Sequence, residues 1–388
     1  NTWLKLGRSA SVTGWKAMFC LSSPISTPKA LPVQVIGGVK VPGGFCDSRI
    51  FASSTSFSRV PAAESAGSSD LWQGLGSGIL LAVWRANKAR KPNLCCRASC
   101  KEGSISRNAE CPFKVCKLEG KGMGVIAKRN LVKGEVILQE APLMTISEQD
   151  LGNSTDADIE QRLELLDSKS QERFWELFDA QLFGTDIRSA KSRLLTNSYP
   201  VEDEFGNDAV AVFNVIARFN HSCVPNVHNS WDAENQLETI CVGRDIQAGQ
   251  ELCTTYIDLL KPRQERQEEL SRRLRFQCGC EACSLEQERR VQSDANRERL
   301  RSLWEHSQTD SVDFGFVSEM IALIDEELRG NSAYKCRVYS AGFEAAANAG
   351  DVETAARMAM AAFENVVIAE GEESPRAELL FQCIQACE

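Results

Sequence analysis

The sequence predicts an α+β protein in which a strand-rich region is followed by helices. Between about residues 113 and 260, short apolar segments that alternate like strands are separated by glycines. Residues 156–182 and 261–276 show the spacing of amphipathic helices. After Cys283 the apolar positions keep a helical period, and Ala-rich pairs around Gly350 indicate helical hairpins.

Composition and charge narrow the classes of function. Of the 388 residues, 43% are hydrophobic and 25% are charged, which is ordinary for a globular protein. The longest apolar stretch, residues 76–84, falls well short of the roughly 20 residues that span a bilayer as a helix, so we expect no membrane span. Residues 1–100 contain 12 Lys/Arg and 3 Asp/Glu, whereas residues 101–388 contain 32 and 50. The acidic body argues against direct nucleic-acid binding and suits a cationic protein substrate.

The first hundred residues differ from the rest of the chain. They are basic, rich in Ser, Ala, Gly and Pro, and lack a sustained helical or strand period. Residues 51–69 are rich in Ser and Ala and nearly free of acids, and basic residues follow, a pattern typical of organelle transit peptides. A disordered tail explains the composition equally well. The predicted location is therefore cytoplasmic or nuclear, with a plastid or other organelle as the alternative.

Individual strands can be placed within the strand-rich region. Residues 124–127 and 136–138 read as short strand-like bursts near glycines. Residues 210–216 and 237–242 are apolar runs of the length and composition of buried strands.

Cysteine spacing is the strongest single chemical signal. The chain contains 16 Cys and only 3 His, and the spacing favours a metal site in a reducing compartment over a disulfide framework. Cys278, Cys280 and Cys283 form C-x-C-x-x-C, where Gly279 permits the chain to turn around an ion. A tetrahedral zinc needs a fourth ligand, which spacing alone does not choose. Buried, redox-inert thiols are the alternative.

Three further segments are weak signals when taken alone. Residues 120–124, Gly-Lys-Gly-Met-Gly, would let a ligand approach the backbone closely, without matching a phosphate-binding loop. Residues 220–226, Asn-His-Ser-Cys-Val-Pro-Asn, read as an irregular hydrogen-bonded segment that a satisfied turn explains. Residues 251–258 contain a Tyr near the end of a short strand, for which packing is a sufficient explanation.

In this order, the four segments together resemble the SET-domain lysine methyltransferases. The resemblance is closest to the SET-and-MYND subfamily and related SET proteins of fungi and protists. It covers roughly residues 113–284, and the insertion 147–195 falls where that subfamily splits its SET domain. It implies a SET-type β-fold with a knot-like core, a helical insertion, a post-SET zinc clasp and a tetratricopeptide-like α-helical C-terminal region.

The resemblance also implies two ligands, Zn²⁺ and S-adenosyl-L-methionine. Cys223 matches the cysteine that completes the zinc site with Cys278, Cys280 and Cys283. The zinc clasp would then hold Phe276 against the adenine of the cofactor. The other positions that match cofactor contacts are Lys121, Gly122, Met123, Asn197, Asn220 and His221.

Tyr256 matches the catalytic tyrosine of the family and is expected at the cofactor as well. It would align the substrate amine with the methyl group for an in-line displacement, in which orientation and electrostatics matter more than a strong base. Tyr199 is a candidate wall of the lysine channel, and a core aromatic is the equally good alternative.

Two features depart from the subfamily pattern. The insertion 147–195 contains neither Cys nor His, and the cysteines before the core, from Cys95 to Cys116, do not reproduce the spacing of a MYND finger. Glu119 stands just before the glycine segment, where a basic residue is common, and would weaken binding of the cofactor carboxylate. MYND-mediated partner binding is therefore not predicted.

The predicted function is a protein-lysine N-methyltransferase acting on a histone or non-histone substrate as a monomer. A SET-domain scaffold of weak activity, binding proteins through its C-terminal helices, is the alternative. The predicted domains are a basic tail (1–112), a SET domain (113–260) with its insertion, a post-SET zinc segment (261–284) and a helical region (285–388).

Overall fold

Short strands between residues 97 and 254 pair into three small sheets. A computed structural model describes residues 97–98, 111–183, 189–307 and 314–387, and within these ranges eleven strands are present. The strands are, in chain order, β1 (Arg97–Ala98), β2 (Phe113–Leu118), β3 (Gly122–Ala127), β4 (Val136–Glu140), β5 (Met144–Ser147), β6 (Ser198–Glu202), β7 (Asp208–Val212), β8 (Asn220–His221), β9 (Val227–Asp232), β10 (Leu237–Val242) and β11 (Glu251–Thr254).

The sheet order brings distant parts of the chain together. The three sheets have the orders β1-β4-β10-β9, β2-β3-β11-β8 and β5-β7-β6. In the second sheet β8 pairs in parallel with β11, so that Asn220 lies opposite Cys253 and His221 opposite Thr254. Apolar side chains from all three sheets share one core, in which Ile137, Phe213 and Leu252 are fully buried. This pairing positions two of the four sequence motifs side by side.

The insertion is helical, but it is divided differently from the sequence prediction. Its helices are α1 (Glu148–Asn153), α2 (Asp156–Glu164), α3 (Ser168–Trp175) and α4 (Ala190–Asn197). The single helix predicted over 156–182 was wrong, because Asp167 starts a new helix. Its carboxylate accepts hydrogen bonds from the backbone N–H groups of Lys169 and Ser170, which is an N-cap.

Strand β7 is also shorter than predicted. The apolar run 210–216 was expected to be one strand, yet pairing stops at Val212 and a 3₁₀ turn forms at Ile216–Arg218. The backbone N–H groups of the next residues donate to the carboxylate of Glu140 instead of to a neighbouring strand. The other predicted buried strand, 237–242, was confirmed as β10.

Helices make up the rest of the described chain. They are α5 (Arg263–Leu274), α6 (Gln287–Ser307), α7 (Phe314–Leu328), α8 (Ser332–Ala349), α9 (Val352–Glu370) and α10 (Pro375–Cys387). The predicted hairpin at Gly350 is confirmed, since this residue ends α8 with φ of 74° and Asp351 caps α9. Helix α9 packs against β9 and β10, so the C-terminal helices and the sheets adjoin.

The α+β prediction is therefore confirmed, because the strands, the C-terminal helices and the cysteine cluster are all present among the described residues. Among the described residues, no helix combines the length and apolar character that crossing a membrane requires. The predicted tail, residues 1–112, lies almost wholly outside the described residues, as do Cys95, Cys96 and Cys100. The domain boundaries stay a prediction.

Candidate active site and metal centre

The parallel pairing of β8 with β11 brings His221 against Tyr256. The backbone N–H of Tyr256 donates to Nδ1 of His221 at 3.1 Å, and the two ring centroids are 5.4 Å apart. The Tyr256 hydroxyl donates to the carbonyl of Phe219 at 2.6 Å. The backbone N–H and the hydroxyl of Tyr256 are thus both held by residues 219–221, which include β8.

The same hydrogen bond settles the proton position on His221. Because Nδ1 accepts from Tyr256, the neutral ring carries its proton on Nε2 and donates it to Sγ of Cys223 at 3.3 Å. Desolvation in this buried position lowers the pKa of His221 to about 4, so the ring is neutral at physiological pH. His221 therefore links the tyrosine to the cysteine cluster.

Glu251 joins the glycine segment to β8. Its carboxylate accepts from Asn220 Nδ2 at 2.8 Å and from Lys121 Nζ at 2.6 Å. Asn220 also donates to the carbonyl of Met123 at 3.1 Å. A Cβ added at Gly124 would lie 2.3 Å from the Leu118 side chain and 2.8 Å from Asn220 Nδ2. Glycine is therefore required there for this close approach.

Phe276 completes one side of this group of residues. Helix α5 ends at Arg275, whose left-handed backbone (φ 61°) turns the chain back toward β8. The Phe276 ring is half-buried, with its centroid 6.3 Å from that of His221. Direct contacts, or contacts through Glu251, thus link the residues of this group, which are Lys121, Asn220, His221, Tyr256 and Phe276.

Asn197 and Tyr199 lie on a neighbouring element, at the junction of α4 and β6. Asn197 Nδ2 donates to the backbone carbonyls of Phe178 and Arg193, at 2.7 and 2.6 Å. Tyr199 is buried, packs edge-on to Phe213 and donates to the carbonyl of Ile216 at 3.3 Å. Its pKa is raised well above the ordinary value, first by desolvation and next by the neighbouring phenol group of Tyr256. Tyr199 is therefore packed in the core and also near the second tyrosine.

An open cavity of about 110 Å³ lies beside Thr255, between the strands and the C-terminal helices. Thr254 and Thr255, which precede Tyr256, line it together with residues of α8 and α9. Acidic side chains from the sheet side also line it, at Glu148, Glu202 and Asp208. Two arginines of the C-terminal helices, Arg337 and Arg376, line the cavity as well, and Arg376 pairs with Glu370.

Four cysteines converge beside His221. The sulfurs of Cys223, Cys278, Cys280 and Cys283 all lie within 4.8 Å of one another, and three of these residues are buried. Cys223 follows β8, whereas the others follow α5, where Gln267 exchanges two hydrogen bonds with the backbone of Cys278. The structure thus brings together the four ligands expected for zinc.

The donor set fits a zinc ion. Four thiolates at mutual contact are the ligand set of tetrahedral structural zinc sites, and such ligands bind the metal deprotonated. Hydrogen bonds from the neighbouring thiols raise the pKa of Cys223 and lower that of Cys280, which reflects the crowding of four ionisable sulfurs. A divalent cation would relieve that crowding.

Sequence reasoning missed two carboxylates that support the site. Glu251 is the first residue of β11, the strand that leads to Tyr256. Glu140 is the last residue of β4, which begins with three apolar residues, and its carboxylate holds the 3₁₀ turn before β8. In each case the available signal was a charged residue inside or beside a buried strand pattern. Such a residue must find partners, since a buried charge without them is strongly unfavourable.

Comparison with known proteins agrees with this arrangement. Residues 122–257 match the SET domain family. The match begins at the glycine segment and ends one residue after Tyr256, so it spans both halves of the site. This protein contains a SET domain.

The proteins with similar sequences carry related names. The SET-domain chain is 35% identical over 192 residues to histone-lysine N-methyltransferase set5 of Schizosaccharomyces pombe, covering 48% of the chain and 56% of that protein. It is 43% identical over 94 residues to N-lysine methyltransferase SMYD2-B of Danio rerio, covering 24% and 21%. It is 25% identical over 184 residues to histone-lysine N-methyltransferase SMYD3 of Homo sapiens, covering 44% and 42%. The chain thus spans about half or less of each of these relatives, and the resemblance to SET-and-MYND proteins is confirmed.

Proposed function

We propose that this SET-domain protein is an S-adenosylmethionine-dependent protein-lysine N-methyltransferase. The observation that carries the proposal is the convergence of Asn220, His221, Tyr256 and Phe276 at the pairing of β8 with β11. These residues come from three segments of the chain and lie inside or just beyond the matched SET domain. The relatives named as lysine methyltransferases support the same reaction class.

The cofactor would supply a methyl group on a sulfonium sulfur, and the lysine nitrogen would bond to that methyl carbon in line as the carbon–sulfur bond breaks and the thioether leaves. The residues that would hold the cofactor are Asn220, His221 and the backbone of Lys121, Gly122 and Met123. The Phe276 ring would pack on its adenine. Asn197 would add a contact from α4. The Lys121 side chain is 56% exposed although its ammonium pairs with Glu251. It therefore remains accessible to an anionic group.

Tyr256 would orient the reactants rather than act as a base. Desolvation raises the pKa of its phenol, so the hydroxyl stays protonated at physiological pH. The hydrogen bonds to Phe219 and His221 fix the ring before the substrate arrives, which avoids reorganisation during the reaction. The lysine must therefore lose its proton elsewhere, and a dry channel walled by Tyr199 favours the neutral amine by desolvation.

The cavity beside Thr255, which has acidic residues on its strand side, is the proposed entry for a protein substrate. Glu148, Glu202 and Asp208 would attract the basic residues that surround a target lysine. A histone and a non-histone substrate both satisfy this chemistry. The proposed location is cytoplasmic or nuclear, with import into an organelle as the alternative.

Methyl transfer from radiolabelled S-adenosylmethionine to lysate proteins tests the function. Tyr256→Phe should lower incorporation by about 100-fold or more, because it removes the hydroxyl that fixes the ring and shapes the site. Tyr339→Phe on α8 is the matched control and should label like the wild type, because Tyr339 lies outside the site and does not line the cavity.

Equal labelling by Tyr256→Phe and wild type would overturn the proposal. Cofactor binding by calorimetry separates the alternatives. Wild-type protein that binds the cofactor but transfers no methyl group to any lysate would be a scaffold, as the second sequence interpretation holds.

A further inference from the structure

Glu238 on β10 is a buried carboxyl that no step of the proposed reaction uses. It is fully buried, and its Oε1 accepts from Nδ2 of Asn229 at 2.9 Å. Its Oε2 has no hydrogen-bond partner within the described ranges. Burying a carboxyl with one oxygen unused disfavours the folded state, and an apolar side chain would avoid that cost. Packing alone therefore does not explain why a carboxyl stands at this position.

The hydrogen bond from Asn229 continues to β11. Oδ1 of Asn229 accepts from the hydroxyl of Thr254 at 3.1 Å, and Thr254 is itself buried. Glu238, Asn229 and Thr254 thus form a side-chain bridge from β10 through β9 to β11, the Glu238 bridge. Because β9 and β10 belong to one sheet and β11 to another, the bridge joins the two sheets at the last residue of β11.

The bridge meets β11 where the backbone pairing of this strand becomes one-sided. The pairing with β3 involves Glu251 and Leu252, and it does not extend to Thr254 within the described part of the chain. On the other side β8 continues to pair, and the backbone carbonyl of Thr254 accepts from the N–H of Ser222 at 2.9 Å. The Thr254 hydroxyl therefore supplies a connection to β9 that the backbone ladder does not.

Tyr256 lies two residues beyond this point. Its backbone N–H and its hydroxyl are held by His221 and Phe219, which belong to the segment of β8. The Glu238 bridge holds the same end of β11 from β9. Glu238 also lies near the proposed channel wall, since the neighbouring Tyr256 and Glu238, after desolvation, raise the pKa of Tyr199. A displacement of about 1 Å caused by a remote change can lower a rate on the order of 100-fold.

We infer that Glu238 is a positioning residue for the proposed methyl transfer, because it orients the amide of Asn229 and, through Thr254, sets the position of Tyr256. This inference rests on the proposed function. Glu238 does not line the cavity beside Thr255, so it acts through Asn229 rather than on the substrate. The bridge requires an acceptor oxygen at position 238 and a hydroxyl at position 254, but no negative charge.

Steady-state methyl transfer by the full chain tests the inference. Radiolabelled S-adenosylmethionine is varied against a fixed amount of lysate protein for wild type, Glu238→Leu and Glu238→Gln. Glu238→Leu should lower kcat about 10- to 100-fold while KM for the cofactor stays within about twofold, because the residues that would hold the cofactor are unchanged. Glu238→Gln keeps an acceptor oxygen for Asn229 and should restore kcat to within about threefold of wild type.

Thr254 provides a second pair of variants at the other end of the bridge. Thr254→Val keeps the shape of the side chain and removes the hydroxyl, so it should repeat the fall in kcat. Thr254→Ser keeps the hydroxyl and should restore most of it. If Glu238→Leu does not fold, Thr254→Val decides the question.

Thr239→Val is the matched control. Thr239 is a buried threonine of β10 whose hydroxyl accepts from Gln139 at 3.3 Å, outside the bridge. Its loss should affect stability and leave kcat at the wild-type value. Hydrogen exchange followed by mass spectrometry adds a readout that does not depend on activity. The backbone N–H groups of residues 254–257 should exchange faster in Glu238→Leu and Thr254→Val, but at the wild-type rate in Thr239→Val.

A wild-type kcat in folded Glu238→Leu and Thr254→Val would overturn the inference and leave the proposed function standing. An equal loss of kcat in Glu238→Leu and Glu238→Gln would also overturn it, because the charge rather than the bridge would then be needed. Wild-type protein that binds the cofactor but transfers no methyl group would overturn the proposed function and the role of Glu238 in it. That failure is seen in the wild type alone, so it is distinguishable from failure of the inference.

Discussion

His221 shows how much a single imidazole ring contributes when both nitrogens are engaged. Nδ1 accepts from the backbone of Tyr256 and Nε2 donates to Cys223, so the ring spans the distance between the proposed catalytic residue and the proposed metal ligand. The sequence motifs predicted roles for Tyr256 and Cys223, but they did not predict that the His221 side chain connects these two residues. That connection depends on the pairing of β8 with β11.

Glu238 is a second residue whose surroundings decide its chemistry. It lies on β10, opposite Glu140 on one neighbouring strand and Trp231 on the other, and it is fully buried. Oε1 accepts from Asn229 at 2.9 Å, while Oε2 has no partner among the described residues. Desolvation raises the pKa of this carboxyl to about 8.

Glu238 should make stability depend on pH in a defined direction. In the unfolded chain the carboxyl ionises near its ordinary value of 4.5, whereas the folded chain keeps the proton until about pH 8. Between these values the folded state binds more protons, so stability falls as pH rises, with a slope of at most about 1.4 kcal/mol per pH unit from this group. Glu238→Gln should remove that slope and be the more stable protein at about pH 8, as measured by urea denaturation at several pH values.

Glu160 provides the matched control, because it is exposed on α2. Glu160→Gln should follow the wild-type pH profile. A wild-type profile in Glu238→Gln would mean that the carboxyl is ionised in the folded protein.

At the scale of elements, the 3₁₀ turn before β8 is held by a side chain rather than by a strand. The Glu140 carboxylate accepts from the backbone N–H groups of Asn214, Val215 and Ile216 at 2.9 Å each. Desolvation raises the pKa of Glu140, and these three hydrogen bonds oppose that shift. Three donors converging on two oxygens match the ionised form, which accepts at both.

Replacing this carboxylate should loosen the turn. Glu140→Gln keeps the shape but turns one acceptor into a donor facing backbone N–H groups, so at least one of these groups loses its partner. We expect a loss of about 1–3 kcal/mol in the free energy of unfolding, measured by chemical denaturation against Glu160→Gln. Unchanged midpoints in Glu140→Gln would show that the backbone groups find other acceptors.

At the scale of the whole molecule, the cysteine cluster ties the active site to the helices that follow it. Cys223 belongs to the SET domain, while Cys278, Cys280 and Cys283 end the segment after α5, which includes Phe276. Arg297 extends the connection to the C-terminal helices, because it donates to Leu259 and to Glu327 at the end of α7. The cysteine cluster, the proposed cofactor site and the C-terminal helices are therefore connected by direct contacts.

Loss of the metal should consequently weaken cofactor binding. Cys223→Ser should lower the zinc content and weaken binding of S-adenosylmethionine by about tenfold, equivalent to losing one hydrogen bond that orients His221. Calorimetric titration before and after treatment with a chelator measures this directly. Cys116→Ser on β2, outside the cluster, should retain both zinc and affinity. Unchanged affinity in a zinc-free protein would separate the two sites.

The sequence by itself determined the SET-type α+β fold, the C-x-C-x-x-C segment, the hairpin at Gly350 and the order of the four motifs. These are local signals, because spacing, turn residues and period act over a few positions. Only the tertiary structure decided where the helical insertion breaks, where β7 ends, and which buried charges meet. Lys121 and Glu251 are 130 positions apart, and Glu140 is 76 positions from Ile216. Such partners are chosen by sheet pairing and by the penalty for burying an unpaired charge. A charged residue in a strand pattern signals that a partner is needed, but the local sequence does not say which residue it is.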